Sequence, residues 1–364
     1  MKSDLSSFSA RLRSLIADHP AVPSTIPFHA LALELFALQY QANAAYRKIC
    51  DARRVTPLTV SKWTDIPSIP TSAFKELDLT CLPPDQRSRV FHSSGTTAQQ
   101  PSRHLHNSES LAVYETSLWS WFAANVLCPG HPAIQDWQLV ILTPSPNDTP
   151  HSSLVYMLDV VRQKFGAGMS VFHGTVNRQG DWELDGEAIV ARLQATTGNK
   201  RPVLVLGTAF AFVHLLDYLA DAKLRFELPA GSRVMETGGY KGRSREIPKP
   251  ELHAEISRRF GLPTEQIICE YGMSELSSQA YDEAVAANNA FRFPHWARAQ
   301  IISPETGLEV DDGETGLIRI FDLANVWSVM AVQTEDLGIR RGEGFELLGR
   351  ASLAEPRGCS RMTA

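Results

Sequence analysis

The chain has 364 residues, 43% hydrophobic and 21% charged, which is enough to bury a substantial core and excludes disorder. That length allows two or three domains, or one large α/β unit with an appendage. The formal net charge is −5 and the pI about 6.1, which excludes a global nucleic-acid-binding surface. Cys50, Cys81, Cys128, Cys269 and Cys359 lie far apart with no C-x-x-C pair. That spacing argues against a zinc ribbon or a disulfide framework and fits reduced thiols in a cytoplasmic protein. Met1-Lys2-Ser3-Asp4 lacks the apolar core of a signal peptide. The most apolar run, 203–216, contains His214 and falls short of the roughly 20 residues that span a bilayer, so no integral membrane segment is expected.

In chain order, residues 5–55 read as helical. Leu31, Leu33, Leu35, Phe36, Leu38 and Tyr40 give 28–50 the pattern of a packing helix. Pro67 and Pro70 force extended backbone through 66–75, a connector into the core. Residues 108–127 read as a helix capped by Ser108, with Trp119, Trp121 and Phe122 toward its buried side. Residues 138–142 form a compact apolar run ending at Pro144, as in a buried strand. A helix over 154–165 closes at Gly166 and Gly168. An amphipathic helix follows over 184–194, then a buried strand over 202–206 and a helix around 212–219. Residues 233–237 are strand-like and stop at Gly238-Gly239. Residues 250–260 read as a helix closed by Gly261, and 267–270 as a short strand running into Tyr271-Gly272-Met273-Ser274-Glu275. Later strands fall near 299–302 and 316–320, with turn signals at 304–307 and 311–313. Strands alternate with helices and nothing repeats at a fixed period, so the class is α/β.

The stretch Phe91-His92-Ser93-Ser94-Gly95-Thr96-Thr97 suits a phosphate. Small hydroxylated residues around a glycine let the backbone approach closely and offer N–H and O–H donors. Ordinary surface loops share that composition. Three more strand ends carry glycine, hydroxyl or acidic residues: Gly207-Thr208, Gly238-Gly239, and Tyr271 to Glu275. Ligands of open α/β sheets bind beyond the carboxyl ends of strands, so four such ends point to one shared site. His92 and His104 flank the hydroxyl loop. His106, His151, His173, His214, His253 and His295 show no ligand spacing, so a metal-histidine site is not expected.

These motifs resemble those of the adenylate-forming enzymes. Ser93-Ser94-Gly95-Thr96-Thr97 resembles their phosphate loop, and Tyr271-Gly272-Met273-Ser274-Glu275 their Tyr-Gly-x-Thr-Glu motif, with Ser274 for threonine. Thr334-Glu335-Asp336 resembles the ribose-binding Asp motif and Gly349-Arg350 the hinge motif that follows. One branch is closer. Ile66-Pro67 through Phe74-Lys75, the run 92–104, Glu236-Thr237-Gly238-Gly239-Tyr240-Lys241-Gly242 and the tail to Arg357-Gly358-Cys359-Ser360 resemble the LuxE-type acyl-protein synthetases of bacterial fatty-acid reductase complexes, which are related to phenylacetate-CoA ligase. The resemblance runs from about residue 60 to the end.

The resemblance implies the large-domain fold of the adenylate-forming enzymes: layered mixed sheets flanked by helices, with a very short carboxyl-terminal portion. It divides the chain into a helical segment and connector (1–85), an adenylate-forming core (86–340) and a tail carrying an acceptor cysteine (341–364). It implies ATP and Mg2+, and a fatty or other carboxylic acid as substrate. The acid becomes an acyl-adenylate, then an enzyme thioester for delivery to a reductase partner of the LuxC kind. Ser93, Ser94, Gly95, Thr96 and Thr97 would hold the β- and γ-phosphates, with Arg103 as a cationic contact. Glu275 would bind Mg2+, which prefers oxygen ligands. Tyr271, beside Gly272, would stack on adenine, and Gly238 and Gly239 would pass its other face. Asp336 would accept from the ribose hydroxyls, and Arg350 would join through the hinge motif. Thr208, Phe210 and Phe212 resemble the segment that lines the acyl pocket. Cys359, with Arg357 and Arg361 favouring its thiolate, would take the acyl group.

Two departures stand out. The loop continues Thr97-Ala98-Gln99-Gln100-Pro101-Ser102-Arg103, where relatives have Thr-Gly-x-Pro-Lys. The chain also stops soon after Gly349-Arg350, where larger relatives carry a swinging domain with a catalytic lysine. Lys241, beside Gly239, is the candidate to neutralise phosphate charge instead. Two alternatives remain open: a CoA ligase releasing acyl-CoA, and a non-catalytic nucleotide-binding subunit of a reductase complex.

Overall fold

The computed structural model of the protein describes residues 4–18, 26–93, 100–127, 133–238, 247–282 and 290–351. Helices α1 (Leu5–Asp18), α2 (Phe28–Ala42) and α3 (Ala44–Ala52) come first. The helical reading of 5–55 is divided at Asn43, whose extended backbone stops α2 and whose side chain accepts from Tyr46 N to start α3. The connector holds β1 (Ile69–Pro70) and α4 (Ala73–Glu76). A hairpin, β2 (Arg89–His92) and β3 (Arg103–His106), leads to α5 (Ser108–Phe122). The cap of α5 is Asn107 rather than Ser108. Asn107 accepts from Ser110 N at 2.8 Å, and Ser110 Oγ accepts from Asn107 N at 2.9 Å, a reciprocal capping box.

Next come β4 (Gln138–Ile141), α6 (Ser153–Lys164), the hairpin β5 (Gly174–Val176) and β6 (Trp182–Leu184), and α7 (Gly186–Asn199). Leu184, expected in a helix, ends β6, because Asp185 caps α7 by accepting from Ala188 N. Then β7 (Val203–Thr208), α8 (Ala209–Asp221), β8 (Arg233–Thr237), α9 (Lys249–Phe260) and β9 (Ile267–Tyr271) alternate. The rest is strand: β10 (Ala280–Asp282), β11 (Phe291–Arg292), β12 (Ala297–Ile302), β13 (Thr315–Asp322), β14 (Ala331–Arg341) and β15 (Gly344–Arg350).

Among the described residues, these strands form one eleven-stranded mixed sheet and two two-stranded hairpins. β4, β7, β8 and β9 lie side by side and parallel. Their apolar runs are buried on both faces, as parallel sheets require. Val140, Val205, Val234 and Ile267 pack under α7, α8 and α9, while Leu139, Leu204, Met235 and Ile268 pack under α5 and α6. From β9 the sheet continues antiparallel through β10, β11, β15, β14, β13 and β12. That half shares its core with the amino-terminal helices: Phe8, Leu35 and Phe36 lie with Trp296, Ile318 and Phe321. Each such buried side chain stabilises by roughly 1.5–3 kcal/mol. β1 pairs parallel with β14, Ile69 opposite Val332. Among the described residues no helix is long and apolar enough to cross a membrane. What matters for the site is the edge where the parallel strands stop together: Thr208 lies opposite Thr237, and Thr237 opposite Glu270.

Candidate active site

The β2–β3 hairpin sets His92 opposite Arg103. One position further, Ser93 N donates to Ser102 O at 3.3 Å and Ser102 N donates to Ser93 Oγ at 3.0 Å. Ser102 links this hairpin to the second motif. Its Oγ donates to Glu275 Oε1, and Ser274 Oγ donates to Glu275 Oε2 at 3.0 Å. Glu275 is only 5% exposed, and a buried carboxylate needs such donors. His104 Nδ1 lies 2.9 Å from the Ser274 carbonyl, so that nitrogen carries the proton and donates. Burial pulls the His104 imidazole down to about 4, which leaves it neutral at pH 7.

The turn that carries Glu275 is held from beneath. Asp322 accepts from Ser277 N at 2.9 Å, Ser278 N at 2.8 Å, Ser278 Oγ at 2.7 Å and Ala324 N at 2.9 Å. Asn325 Nδ2 donates to the Glu275 carbonyl at 2.9 Å, and Ser277 Oγ donates to Asn325 Oδ1 at 2.7 Å. Sequence reasoning missed both residues. The available signal was two polar residues set in the apolar run Ile320-Phe321-Asp322-Leu323-Ala324-Asn325-Val326. At Gly272 a side chain would strike Glu270 Oε1. Burial pushes the Glu270 carboxyl up to about 7; the Thr237 hydroxyl, which donates to it, opposes the shift and the nearby Glu236 adds to it.

A second group forms where β9 meets the antiparallel half. The Tyr271 hydroxyl donates to Asp336 Oδ2 at 2.8 Å, and its ring packs 5.3 Å from Phe345 and 5.9 Å from Phe291. Asp336 sits opposite Arg350 across β14 and β15, with Arg350 Nε 3.9 Å from Asp336 Oδ1. The Arg350 side chain is 82% exposed, so this pair adds little stability and leaves the guanidinium accessible. Burial raises the Asp336 carboxyl, against the Tyr271 hydroxyl and Arg350.

The structure thus brings Ser93 to Glu275 through Ser102, and Tyr271 to Asp336 and Arg350. Gly238, with φ +72°, ends β8 beside β9. Arg103 is placed differently from a free phosphate contact: it pairs with Asp78 at 3.1 Å, which Arg87 also holds at 2.8 Å. Thr208 caps α8 by accepting from Ala211 N at 3.0 Å. Phe210 lines a cleft of about 350 Å³ with Leu142, Trp182, His214 and Tyr218. Phe212 does not join it; it is fully buried in the core with α7 and α9. Ser94, Gly95, Thr96, Thr97, Gly239, Lys241 and Cys359 lie outside the described residues. Burial pushes the Cys50 thiol up to about 11, the Cys81 thiol to about 12 and Cys269 well up, so none of these three is poised as a nucleophile.

Among the described residues no three His, Cys, Asp or Glu cluster as a metal cage. Glu275, its oxygens oriented by Ser102 and Ser274, nonetheless suits Mg2+. That ion takes one or two carboxylates and completes its shell with water and phosphate oxygens.

The fold belongs to the class of adenylate-forming ligases. An open conformation of 2-hydroxyisobutyryl-CoA ligase, in complex with 2-HIB-AMP and CoA, superposes with a TM-score of 0.64 at 13% identity, covering 88% of this chain and 73% of that one. ATP-bound MatB from Rhodopseudomonas palustris superposes with a TM-score of 0.51 at 14% identity, covering 95% and 72%. Within that class the sequence is more specific. Residues 24–364 match the family described as acyl-protein synthetase, LuxE, and the chain belongs to it. Two relatives are long-chain-fatty-acid–luciferin-component ligases. The protein from Aliivibrio fischeri is 23% identical over 347 residues, 91% of this chain and 86% of that protein. The one from Vibrio harveyi is 22% identical over 339 residues, 89% and 84%. The protein is an AMP-forming ligase of this family.

Proposed function

We propose that the protein joins a long-chain fatty acid to ATP, forming an acyl-adenylate and pyrophosphate, and then carries the acyl group on Cys359 for a reductase partner. The observation that carries this reading is the meeting of Ser93, Ser102 and Glu275 in one hydrogen-bonded set, with Tyr271 at the end of β9 held to Asp336 of β14, which Arg350 of β15 approaches. Nucleotides bind at such strand ends. The name of the two relatives, ligases of a long-chain fatty acid, supports the substrate class. Residues 86–340 act as the adenylating core, 1–85 as its helical support and 341–364 as the acceptor tail.

The chemistry follows from charge. The acid's carboxylate attacks the α-phosphorus, the bond from that phosphorus to the bridging oxygen breaks, and pyrophosphate leaves. Negative charge spreads over the phosphate oxygens. Ser93, Ser94, Gly95, Thr96 and Thr97 supply fixed donors to the β- and γ-phosphates, which cost little reorganisation at the moment of reaction. Lys241 adds positive charge, and Arg350 contributes from the hinge. Glu275 would hold Mg2+, which would supply charge neutralisation at the phosphates. Asp336, aligned by the Tyr271 hydroxyl, accepts from the ribose hydroxyls. The Tyr271 ring, Gly272, Gly238 and Gly239 border the adenine, and Thr208 and Phe210 border the acid. In the second half-reaction the Cys359 thiolate attacks the acyl carbonyl. A carbon–sulfur bond forms and AMP leaves.

Incubation with labelled long-chain fatty acid and ATP tests the acceptor step. The protein should acquire label through a hydroxylamine-sensitive bond, and Cys359→Ser should lose the label while still releasing pyrophosphate. Label that persists in Cys359→Ser, or acyl-CoA as the main product when CoA is supplied, would contradict it.

A further inference from the structure

Glu275 is tied to the connection between β13 and β14 and, through it, to α2. Its carbonyl accepts from Asn325 Nδ2 at 2.9 Å, and the same nitrogen donates to the Val329 carbonyl at 3.1 Å. Both N–H bonds of the Asn325 amide are therefore used, and its Oδ1 accepts from Ser277 Oγ at 2.7 Å. The Asn325 carbonyl in turn accepts from Gln39 Nε2 at 2.7 Å, and Gln39 Nε2 also approaches the Val326 carbonyl at 3.2 Å. Gln39 Oε1 accepts from Met330 N at 3.1 Å. Gln39, Asn325 and Ser277 are all buried.

Gln39 is an odd residue for its place. It lies on α2, whose other buried positions are Phe28, Leu31, Ala32, Leu35 and Phe36. Packing alone would be served by another leucine, and an amide there must be matched bond for bond or it destabilises the fold. It is matched entirely by the backbone of the β13–β14 connection. The end of β13, where that connection starts, carries Asp322, which takes the amides of Ser277 and Ser278. A buried polar network with its members satisfied is rigid, and this one ends on the main chain of Glu275.

We infer that Asn325, braced by Gln39, is a positioning residue that fixes the Glu275 backbone so that its carboxylate meets the divalent cation of the metal–ATP complex. The inference rests on the activation reading above. Neither residue touches substrate. Each acts through Glu275, in the way that outer partners of a ligand set metal affinity. Helix α2 is then part of the catalytic apparatus as well as of the core.

The test uses the full chain with Mn2+ as probe, its binding in the presence of ATP read from the loss of the free-ion paramagnetic resonance signal. Asn325→Asp keeps the size and the acceptor for Ser277 but removes both N–H donations. Gln39→Met keeps the volume and removes the amide. Asn325→Asp should weaken Mn2+ about tenfold and Gln39→Met a few-fold, with the half-saturating fatty acid concentration unchanged. Variants that melt at lower temperature yet bind Mn2+ with the parental constant would overturn the inference, since the network would then serve stability alone. Should Asn325→Asp fail to fold, Gln39→Met and Ser277→Ala carry the same comparison. Parental protein that shows no ATP-dependent Mn2+ binding at all would overturn the activation reading itself, a result distinct from either variant outcome.

Discussion

Tyr271 joins two functions in one side chain. Its ring is packed among Phe291, Phe293 and Phe345, and its hydroxyl holds Asp336 at 2.8 Å. A hydrogen bond to a carboxylate is worth about 1.5–3 kcal/mol, enough to fix which way Asp336 presents its oxygens. Tyr271→Phe keeps the ring and its packing and frees the carboxylate. The half-saturating ATP concentration in pyrophosphate exchange should rise about tenfold, with the maximal rate little changed. An unchanged ATP requirement would show that Asp336 needs no alignment or does not meet ribose. The residue scale also shows what local sequence conceals. Asn107 and Ser108 are both good caps by type, and the reciprocal bonds between Asn107 and Ser110 select the first.

At the scale of elements, β8 and β9 set Thr237 opposite Glu270, and their contact has a pH signature. Burial holds the Glu270 carboxyl near 7, above its ordinary 4.5. The unfolded chain therefore gives up this proton at lower pH than the folded one. The contribution to stability is present below about 4.5, falls as pH rises to about 7, and is level above that. Glu270→Gln removes the slope. Melting curves at pH 5 and pH 8 should show the variant gaining on the parent toward pH 8; a difference independent of pH would place the titration elsewhere. The parallel strands were legible in the sequence because burial on both faces makes them continuous apolar runs closed by glycine or proline. The antiparallel half was only partly legible. β10 and β11 are too short to show a period. β14 carries Thr334, Glu335, Asp336, Arg340 and Arg341, so its apolar pattern breaks. The motif residues were legible because each motif is local. Asp322, Asn325 and Gln39 were not, because their role exists only across the fold.

The whole molecule explains why motifs spread from residue 93 to residue 350 can serve one reaction. The parallel strands present Thr208, Gly238 and Tyr271 along one edge of the sheet, and the β2–β3 hairpin meets Glu275 there through Ser102. The antiparallel half, anchored on the amino-terminal helices, returns Asp336 and Arg350 to Tyr271. The central claim is that this edge activates a carboxylic acid with ATP. Fatty-acid-dependent ATP–pyrophosphate exchange tests it most directly, with the parent compared to Glu275→Gln. The parent should exchange label only when long-chain fatty acid and Mg2+ are both present, and Glu275→Gln should lose about 100-fold or more in rate with its fold intact. Exchange that no fatty acid supports, or that continues undiminished in Glu275→Gln, would contradict the account.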